Sequence, residues 1–400
     1  MGNWASAGVY HQPDSDEFVR ITSDQLKPRN GRYEIRVTNE LEEVLFLDTV
    51  KLVAVEHDAD SEVYPNEGLG IPTSGKQILY TAKKAESPLS AMSSDGKSVL
   101  PKIEKLDRNF YDSFKSLPIR GYAEQHELTL NLDDKKNYKG RTLLLLTGWT
   151  DYAFSSDNLA AAQSGKSLFM PYLQVKNTKG EWQTVIESIG ISVGRPQTVV
   201  VDLTGKFVTG GREVRIVTNF KTYWDKIEVD TSLPNSNFKQ IEMLPMQAGL
   251  RERGFSEEVI TNGMISANYN KVLNDGRWKY FAGRFTRFGD VKPLLSSIDD
   301  TFVISKTGDE IILSFAAISE PPTGRKYTFL LYADGYSKEM DINSGSPEAV
   351  FPMPFKAMKN YPYGLNEKYP MGREKENIFD LYNTRLVRGG LPKIEAILIK

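Results

Sequence analysis

The feature of this sequence that most constrains its fold is a dense series of short strand signals with almost no helical pattern between them. Residues 32–38 alternate between polar and apolar types, and residues 44–55 are rich in β-branched side chains. Alternation with a period of two and enrichment in β-branched residues are both typical of strands. The first third of the chain is therefore expected to be β-structure.

The middle third continues this pattern at the spacing of a β-sandwich. Turn dipeptides such as Lys179-Gly180 separate the strand signals, and the one short helical patch is residues 157–163. The signals lie at residues 127–130, 141–149, 172–175, 182–186, 198–203, 213–218 and 226–229. We expect an all-β protein of two to three β-sandwich domains with few short helices, in which the middle domain is jelly-roll or galactose-binding-like.

The length of 400 residues suits two to three domains. A polar, proline-containing stretch at residues 232–237 follows the last strand signal of the middle group, and it makes the best boundary in the chain. A further group of strand signals follows it, and residues 346–372 are rich in Pro, Tyr and Gly. We expect an N-terminal β domain at 1–125, a jelly-roll-like sandwich at 126–232, and a C-terminal β domain with a Pro/Tyr-rich tail at 233–400.

Charge and cysteine content exclude several classes of function. The chain has 50 Lys and Arg against 52 Asp and Glu, so no overall positive field would hold a phosphate backbone, and we expect no nucleic-acid partner. There are no Cys residues, which excludes disulfides, thiolate nucleophiles, iron–sulfur clusters and cysteine zinc sites. The longest purely aliphatic run is residues 143–146, so we expect no membrane span. Residues 1–6 do not have the pattern of a secretory signal.

No motif in the sequence points to a cofactor. Residues 70–76 have the spacing of a phosphate-binding loop but end before a Gln instead of a Ser or Thr, and residues 160–167 lack the first glycine. The three histidines, His11, His57 and His126, are scattered and are expected at the surface or at strand ends rather than around zinc. We therefore predict no cofactor.

Aromatic and acidic residues at the ends of two middle strands form the main candidate binding site. Aromatic faces stack on sugar rings while polar groups hold hydroxyls, so this combination is typical of sugar-binding sandwiches. The alternative is that these aromatic residues fill the ends of the sandwich core. The predicted ligand-binding residues are Trp149, Asp151, Tyr152, Tyr223 and Trp224.

Two groups of carboxylates allow other chemistry. Asp58, Asp60 and Glu62 alternate along one segment and could hold a structural calcium ion, although they do not complete a twelve-residue calcium loop. Carboxylates at residues 290, 299 and 300 could supply the pair that a glycosidase needs. The alternative for residues 299–300 is an ordinary turn before the next strand.

Several longer segments resemble one large bacterial family. Residues 33–60 and 148–151, the segment 170–175 (MPYLQV) and the segment 180–186 (GEWQTVI) carry part of the resemblance. The rest lies in residues 65–67, 200–207, 212–219, 285–295 (FTRFGDVKPLL) and 329–343 (FLLYADGYSKEMDIN). These segments resemble the C-terminal region of FG-GAP/VCBS-repeat proteins that carry an ASPIC/UnbV segment. The resemblance implies an exported or cell-surface bacterial protein built from β domains, with no catalytic residues assigned to this region.

The sequence departs from that family in one respect. Members usually place a propeller of Asp-rich, calcium-binding repeats before this region, and this chain has none. The favoured hypothesis is a non-enzymatic, extracellular or cell-surface module that binds a glycan or a protein partner. The alternatives are a carbohydrate-active hydrolase that uses paired carboxylates and a purely structural subunit of a surface assembly.

Overall fold

The computed structural model describes residues 16–66, 68, 78–132, 140–192, 195–261, 264–273, 281–339 and 348–388. The all-β class that the sequence predicts is confirmed, because the described residues form several antiparallel sheets and two short α-helices. Neither helix is long and apolar enough to cross a membrane.

The strands before the middle of the chain are β1 (Asp16–Thr22), β2 (Arg32–Thr38), β3 (Glu43–Asp58), β4 (Glu62–Pro65), β5 (Leu79–Ala82) and β6 (Ser90–Ser93). The middle contains β7 (Tyr122–Asn131), β8 (Leu143–Asp151), helix α1 (Ser155–Gln163), β9 (Tyr172–Lys176), β10 (Trp182–Ile186), β11 (Gln197–Asp202) and β12 (Glu213–Asp230).

The remaining strands begin with β13 (Lys239–Met243), β14 (Gln247–Glu252), β15 (Phe255–Thr261), β16 (Met264–Leu273), β17 (Gly283–Phe285) and β18 (Gly289–Asp290). They end with β19 (Val303–Ser305), β20 (Asp309–Ala316), β21 (Arg325–Glu339), helix α2 (Arg373–Tyr382) and β22 (Arg385–Val387). Short 3-10 turns occupy Leu100–Lys102 and Lys292–Leu295.

One sandwich is built from both ends of the described chain. Its first sheet has the order β1-β21-β3-β13, with β19 also paired to β3, and its second sheet has the order β18-β14-β20-β2. Leu52 and Phe329 from the first sheet share a core with Leu313 and Phe315 from the second. Strand β3 is buried on both faces along most of its length, which explains why its sequence is rich in branched apolar residues.

The predicted division of the chain at residues 125 and 232 stays a prediction, and strand pairing adds one fact to it. Strands β1, β2 and β3 all hydrogen-bond to strands that begin after residue 233. The first and third predicted segments therefore share two sheets.

The middle sandwich is organised by the long strand β12. Its first half pairs with β7 and β9 in a sheet of order β10-β9-β12-β7-β6, and its second half pairs with β8, which in turn pairs with β11. Register shifts near residues 219 and 225 let the same strand serve both sheets, because a bulge bends a strand and increases its twist. Leu130, Leu146 and Ile216 belong to the core between the two sheets.

Two hairpins cover the outer face of β8. Leu145 packs with Tyr64 and Tyr80 of the hairpin β4–β5, and Trp149 packs with Met264 of the hairpin β15–β16. The outer face of this sheet therefore contacts other parts of the chain and not only solvent.

A buried ion network anchors the hairpin β15–β16 to the second sheet of the first sandwich. Glu310 on β20 has a fully buried side chain, and its Oε2 lies 2.6 Å from Nη2 of Arg251 on β14. The Tyr269 hydroxyl on β16 donates to Glu310 Oε1 at 2.6 Å, and the Arg253 guanidinium lies 4.2 Å from the centroid of the Tyr269 ring. A buried carboxylate needs such partners, since its desolvation would otherwise be costly.

Candidate functional site

Trp149 and Tyr223, two of the predicted ligand residues, lie side by side on the outer face of β8 and β12. They are direct cross-strand neighbours, and their rings stack at 4.5 Å between centroids with an interplanar angle of 6°. Phe110 packs against both edge to face, and Met264 covers the cluster from the hairpin β15–β16. Trp149 is 8% exposed, and its indole nitrogen has no hydrogen-bond partner among the described residues.

Trp224 faces the opposite side of the sheet from its neighbour Tyr223. It is 2% exposed and belongs to the core of the middle sandwich together with Ile103 and Ile227. Its ring is therefore not accessible to a ligand in this conformation. Trp224 fills the core of the sandwich, which is the alternative that the sequence left open for these aromatic residues.

Asp151 and Tyr152 follow Trp149 at the end of β8 and both contact Arg120. The Arg120 Nε donates to Asp151 Oδ1 at 3.3 Å, and the guanidinium lies 5.4 Å from the centroid of the Tyr152 ring. Burial raises the pKa of the Tyr152 phenol. The charge of Asp151 is thus balanced within the chain, and Tyr152 packs beside Ile191 and Phe220.

A pair of carboxylates that sequence reasoning missed lies near Tyr152. Glu43 at the start of β3 is directly opposite Glu339 at the end of β21, and the Ser155 hydroxyl donates to Glu339 Oε2 at 3.0 Å. Burial, followed by the negative charge of Glu339, raises the pKa of Glu43 to about 7. No local sequence signal marks this pair, because its two members come from opposite ends of the described chain.

The raised pKa of Glu43 predicts a pH-dependent stability. A carboxyl whose pKa is higher in the folded than in the unfolded protein contributes to the free energy of unfolding at low pH, where it is protonated. This contribution is lost as the pH rises through about 7, the pKa of Glu43 in the folded protein. We expect Glu43→Gln to be more stable than the wild type at pH 8, by about 1 to 3 kcal/mol, and to gain little at pH 5. Urea denaturation at the two pH values measures the difference.

The control for this substitution is Glu242→Gln. Glu242 lies 3.0 Å from Lys51, but 62% of its side chain is exposed, so its replacement should leave the pH dependence of stability unchanged. A Glu43→Gln protein whose stability follows that of the wild type at both pH values would contradict the assignment.

Each of the predicted calcium ligands has partners of its own. The Asp58 carboxylate accepts from Arg325 and Asn235 at 2.8 and 2.7 Å, and Asp60 lies 2.6 Å from Lys83. The two oxygens of Glu62 contact two different cations, Arg20 and Lys326. Among the described residues no group of three or more His, Asp or Glu side chains is arranged to hold a metal ion. A calcium site here stays a prediction.

Asp299 and Asp300 lie in a turn before β19, which is the alternative that the sequence offered to a glycosidase pair. Asp299 accepts the backbone N–H of Thr301 at 2.9 Å, and the buried Asp48 accepts the N–H groups of Asp299 and Asp300 at 3.2 and 2.9 Å. Burial raises the pKa of Asp48 to about 7, against the lowering effect of these hydrogen bonds. The network holds the loop before β19 in place.

The remaining sequence motifs have ordinary surroundings where they are described. Both described histidines are buried: His57 lies near the end of β3 and hydrogen-bonds Thr328 at 2.8 Å, and His126 lies 5.0 Å from the ring of Phe114. The expectation of a surface or strand-end position is therefore wrong for His126, which lies in the interior of β7. Residues 160–167 span the end of helix α1 and the turn after it. His11 and residues 70–76 lie outside the described residues.

A polar face of the middle sandwich carries a tryptophan that sequence reasoning did not single out. We call it the outer-face platform and define it by five half-buried residues on β7, β9, β10 and β12: Glu127, Gln174, Trp182, Thr184 and Arg215. Across these strands Thr184 is opposite Gln174, and Gln174 is opposite Arg215. The sequence signal that could have revealed this face is the alternation in β9 of apolar Leu173 and Val175 with polar Gln174 and Lys176.

Hydrogen bonds fix the polar groups of the outer-face platform. Arg215 Nε and Nη2 both donate to Gln174 Oε1, at 2.9 and 2.7 Å, and Nη1 donates to Glu127 Oε2 at 2.8 Å. The Arg215 guanidinium lies 4.5 Å from the centroid of the Trp182 ring, which is within the range of a cation–π contact. The ring and the planar polar groups are thus held at fixed positions on one face.

Comparisons with known proteins identify no family for this chain. No family model matches it, and no curated protein matches it. A structure of infectious bursal disease virus, Gt strain, is 8% identical with a TM-score of 0.13 and covers 81% of this chain and 80% of that chain. The VP2 subviral particle of the same virus is 7% identical with a TM-score of 0.13 and covers 84% of both. Similarity at this level carries no argument about function.

Proposed function

We propose that this protein is a non-enzymatic binding module that recognises a glycan through the outer-face platform. The observation that supports the proposal is the Trp182 ring held beside Arg215 and Gln174 on one face of the sheet. An aromatic ring can stack on a sugar, and amide, guanidinium and carboxylate groups can hold its hydroxyls. Because these groups are already fixed by hydrogen bonds, binding would order few side chains.

The second location for the same function is the aromatic cluster of Phe110, Trp149, Tyr223 and Met264, which we call the strand-end cluster. Its Trp149 has a buried indole N–H without a partner among the described residues, and a ligand oxygen could accept from it. Met264 and Phe110 pack against that cluster, so a ligand would have to displace the hairpin β15–β16. A ligand on the outer-face platform would meet the Arg215 and Lys176 side chains beside the Trp182 ring but would not have to displace a hairpin, and for this reason we favour it.

We also propose that the protein is located outside the cytoplasm and has no catalytic activity. Both parts of this proposal are supported by the resemblance of the sequence to exported FG-GAP/VCBS-repeat proteins, in which this region has no assigned catalytic residues. A protein partner, a structural role in a surface assembly and glycan hydrolysis are the alternatives that the following experiment separates.

We expect Trp182→Ala to weaken glycan binding by about tenfold or more, because the ring supplies the stacking surface. A panel of soluble glycans is screened first by thermal shift with the wild-type protein, with calcium and with chelator. The sugar that raises the melting temperature is then titrated calorimetrically into the wild type and the variant. Release of reducing ends during the titration would identify a hydrolase instead.

Trp149→Phe is the matched control, since it alters the strand-end cluster and leaves the outer-face platform intact. We expect it to bind the same glycan as the wild type does. Loss of binding in Trp149→Phe with full binding in Trp182→Ala would move the site to the strand-end cluster. A panel without any response would contradict glycan recognition and favour a protein partner or a structural role.

A further inference from the structure

The outer part of the hairpin β15–β16 lies over the rings of the strand-end cluster. We define residues 257–261 and 264–268 as the distal hairpin. Within the described part of the chain its two strands pair only with each other. Met264 packs in the cluster with Trp149 and is 5% exposed, whereas Ile260 on the same hairpin is 69% exposed. Met264 is thus the residue through which the distal hairpin contacts the rings.

The base of the same hairpin is anchored to the first sandwich. Arg253 Nη1 donates to Glu40 Oε1 at 3.2 Å, and Arg253 Nη2 donates to the backbone carbonyl of Tyr269. The backbone N–H and the hydroxyl of Ser256 donate to the two oxygens of Glu40 at 2.9 and 2.7 Å. The Tyr269 hydroxyl donates to the buried Glu310. Hydrogen bonds to charged groups are the stronger kind, so the base is held in place.

A wide bulge separates this anchored base from the distal hairpin. Ser256 is paired with Val272, but the next residue, Glu257, is paired with Asn268, so residues 269–271 have no residue opposite them on β15. A bulge interrupts the ladder and bends the strand. Domain and loop hinges are commonly a few such residues that absorb a change in backbone angles. The distal hairpin can therefore rotate at the bulge while its base stays fixed.

The closed position of the distal hairpin leaves a buried donor unsatisfied. Trp149 is 8% exposed, and its indole N–H has no hydrogen-bond partner among the described residues. A buried donor without a partner costs free energy, which favours opening of the hairpin to water or the entry of a ligand with an oxygen acceptor. The rings of Trp149 and Tyr223, stacked within 6° of parallel, offer a flat floor to such a ligand.

We propose that the distal hairpin is a lid over a second binding site, whose floor is formed by the rings of Trp149 and Tyr223. The lid opens at the bulge, and a ligand with a flat apolar face and an uncharged oxygen replaces Met264 and accepts from the Trp149 indole. A sugar ring has both features. The choice of a sugar rests on the proposed function, whereas the lid does not.

Hydrogen exchange of the Trp149 indole tests the lid without a ligand. Isotopic labelling of the tryptophan nitrogens gives indole signals in the NMR spectrum of the full chain, and Trp149→Phe identifies the signal of Trp149. We expect its exchange to depend on urea much less than global unfolding does, because lid opening exposes little surface. Exchange with the urea dependence of global unfolding would overturn the lid, and an unprotected hydrogen would contradict its closed position.

Met264→Ser weakens the closed lid, since it replaces the apolar contact with the rings. We expect the Trp149 indole to exchange about tenfold faster or more in this variant. Ile260→Ser is the matched control, because it makes the same kind of change at an exposed position of the same hairpin and should leave the exchange unchanged. Equal exchange in the wild type and Met264→Ser would overturn the lid. If Met264→Ser does not fold, Met264→Ala takes its place.

Methyl β-galactoside is the probe for the binding site, since its ring has an apolar face and uncharged oxygens. It is titrated into Trp182→Ala protein, so that the outer-face platform does not contribute. We expect the addition of Met264→Ser to tighten binding by about tenfold or more, and the further addition of Trp149→Phe to abolish this gain. Equal or undetectable binding with and without Met264→Ser would overturn the second site. The proposed function is tested separately, by the glycan binding that Trp182→Ala removes.

Discussion

Replacement of Trp224 with alanine is expected to lower the free energy of unfolding by about 3 to 5 kcal/mol. Trp224 is 2% exposed and is among the largest fully buried side chains of the described residues. It packs with Ile103 and Ile227 in the core of the middle sandwich, and its backbone carbonyl accepts the N–H of Tyr111. Removal of the indole leaves a cavity that surrounding strands cannot close without breaking their hydrogen bonds. Urea denaturation followed by circular dichroism measures the loss.

The same measurement on Trp182→Ala separates a core tryptophan from a surface one. Trp182 is half-buried at the edge strand β10, so its removal should cost less than about 1 kcal/mol. If Trp224→Ala unfolded at the same urea concentration as the wild type, the placement of Trp224 in the core would be wrong. A ligand-facing role for Trp224 would then be open again.

The strands of the middle sandwich could be predicted because each has its own turn signals and its own pattern. Residues 182–186, predicted from the sequence, coincide with β10, and residues 213–218 lie within β12. The sequence predicts two separate strands, at residues 213–218 and 226–229, because Asn219 and Asp225 interrupt the alternation of polar and apolar residues. The structure has a single strand, β12, over both segments. In the structure these positions coincide with the two register shifts, where the strand bends without ending.

The pairing between the two ends of the chain could not be predicted. Strand β3 lies between β21 and β13, and nothing in the local pattern of residues 43–58 specifies these partners. The carboxylate pair Glu43 and Glu339 and the contacts of the hairpin β15–β16 with the middle sandwich depend on such long-range pairing. For the same reason nothing in the local pattern could show that Met264 covers Trp149 and Tyr223. The expectation that Tyr223 lies at a strand end is wrong, because it lies in the interior of β12.

The side of the sheet that each aromatic residue faces could be predicted only in part. Trp149 and Trp224 belong to two different strands. Alternation within each strand shows which residues share a face of that strand, but it does not show whether Trp149 and Trp224 lie on the same face of the sheet, because that depends on the register between the strands. The register of β8 against β12 places Gly148 opposite Trp224 and Trp149 opposite Tyr223. Adjacent positions therefore have different surroundings: Trp224 lies in the core and Tyr223 on the outer face.

Gly148→Ala is expected to lower the free energy of unfolding by about 3 kcal/mol or more, because this register leaves no space for a side chain. A Cβ atom at Gly148 would lie 2.2 Å from the carbonyl oxygen of Tyr223 and 2.9 Å from the ring of Trp224. The oxygen belongs to the backbone of β12 and cannot rotate away, and movement of the ring would disturb the core. Thermal unfolding should show a melting temperature lower by roughly 6 °C or more.

Gly249→Ala supplies the matched control, since Gly249 also lies within a strand, β14. The nearest atom to an added Cβ there is the carbonyl oxygen of Gly289 at 4.0 Å, so the methyl group meets no obstruction. Alanine also restricts the unfolded chain more than glycine does, and we therefore expect an unchanged or slightly higher melting temperature. Equal destabilisation by the two substitutions would mean that glycine is needed in these strands for a general reason. A loss confined to Gly148→Ala would instead support the close approach of β8 and β12, and with it the register that separates Trp224 in the core from Trp149 and Tyr223 on the outer face.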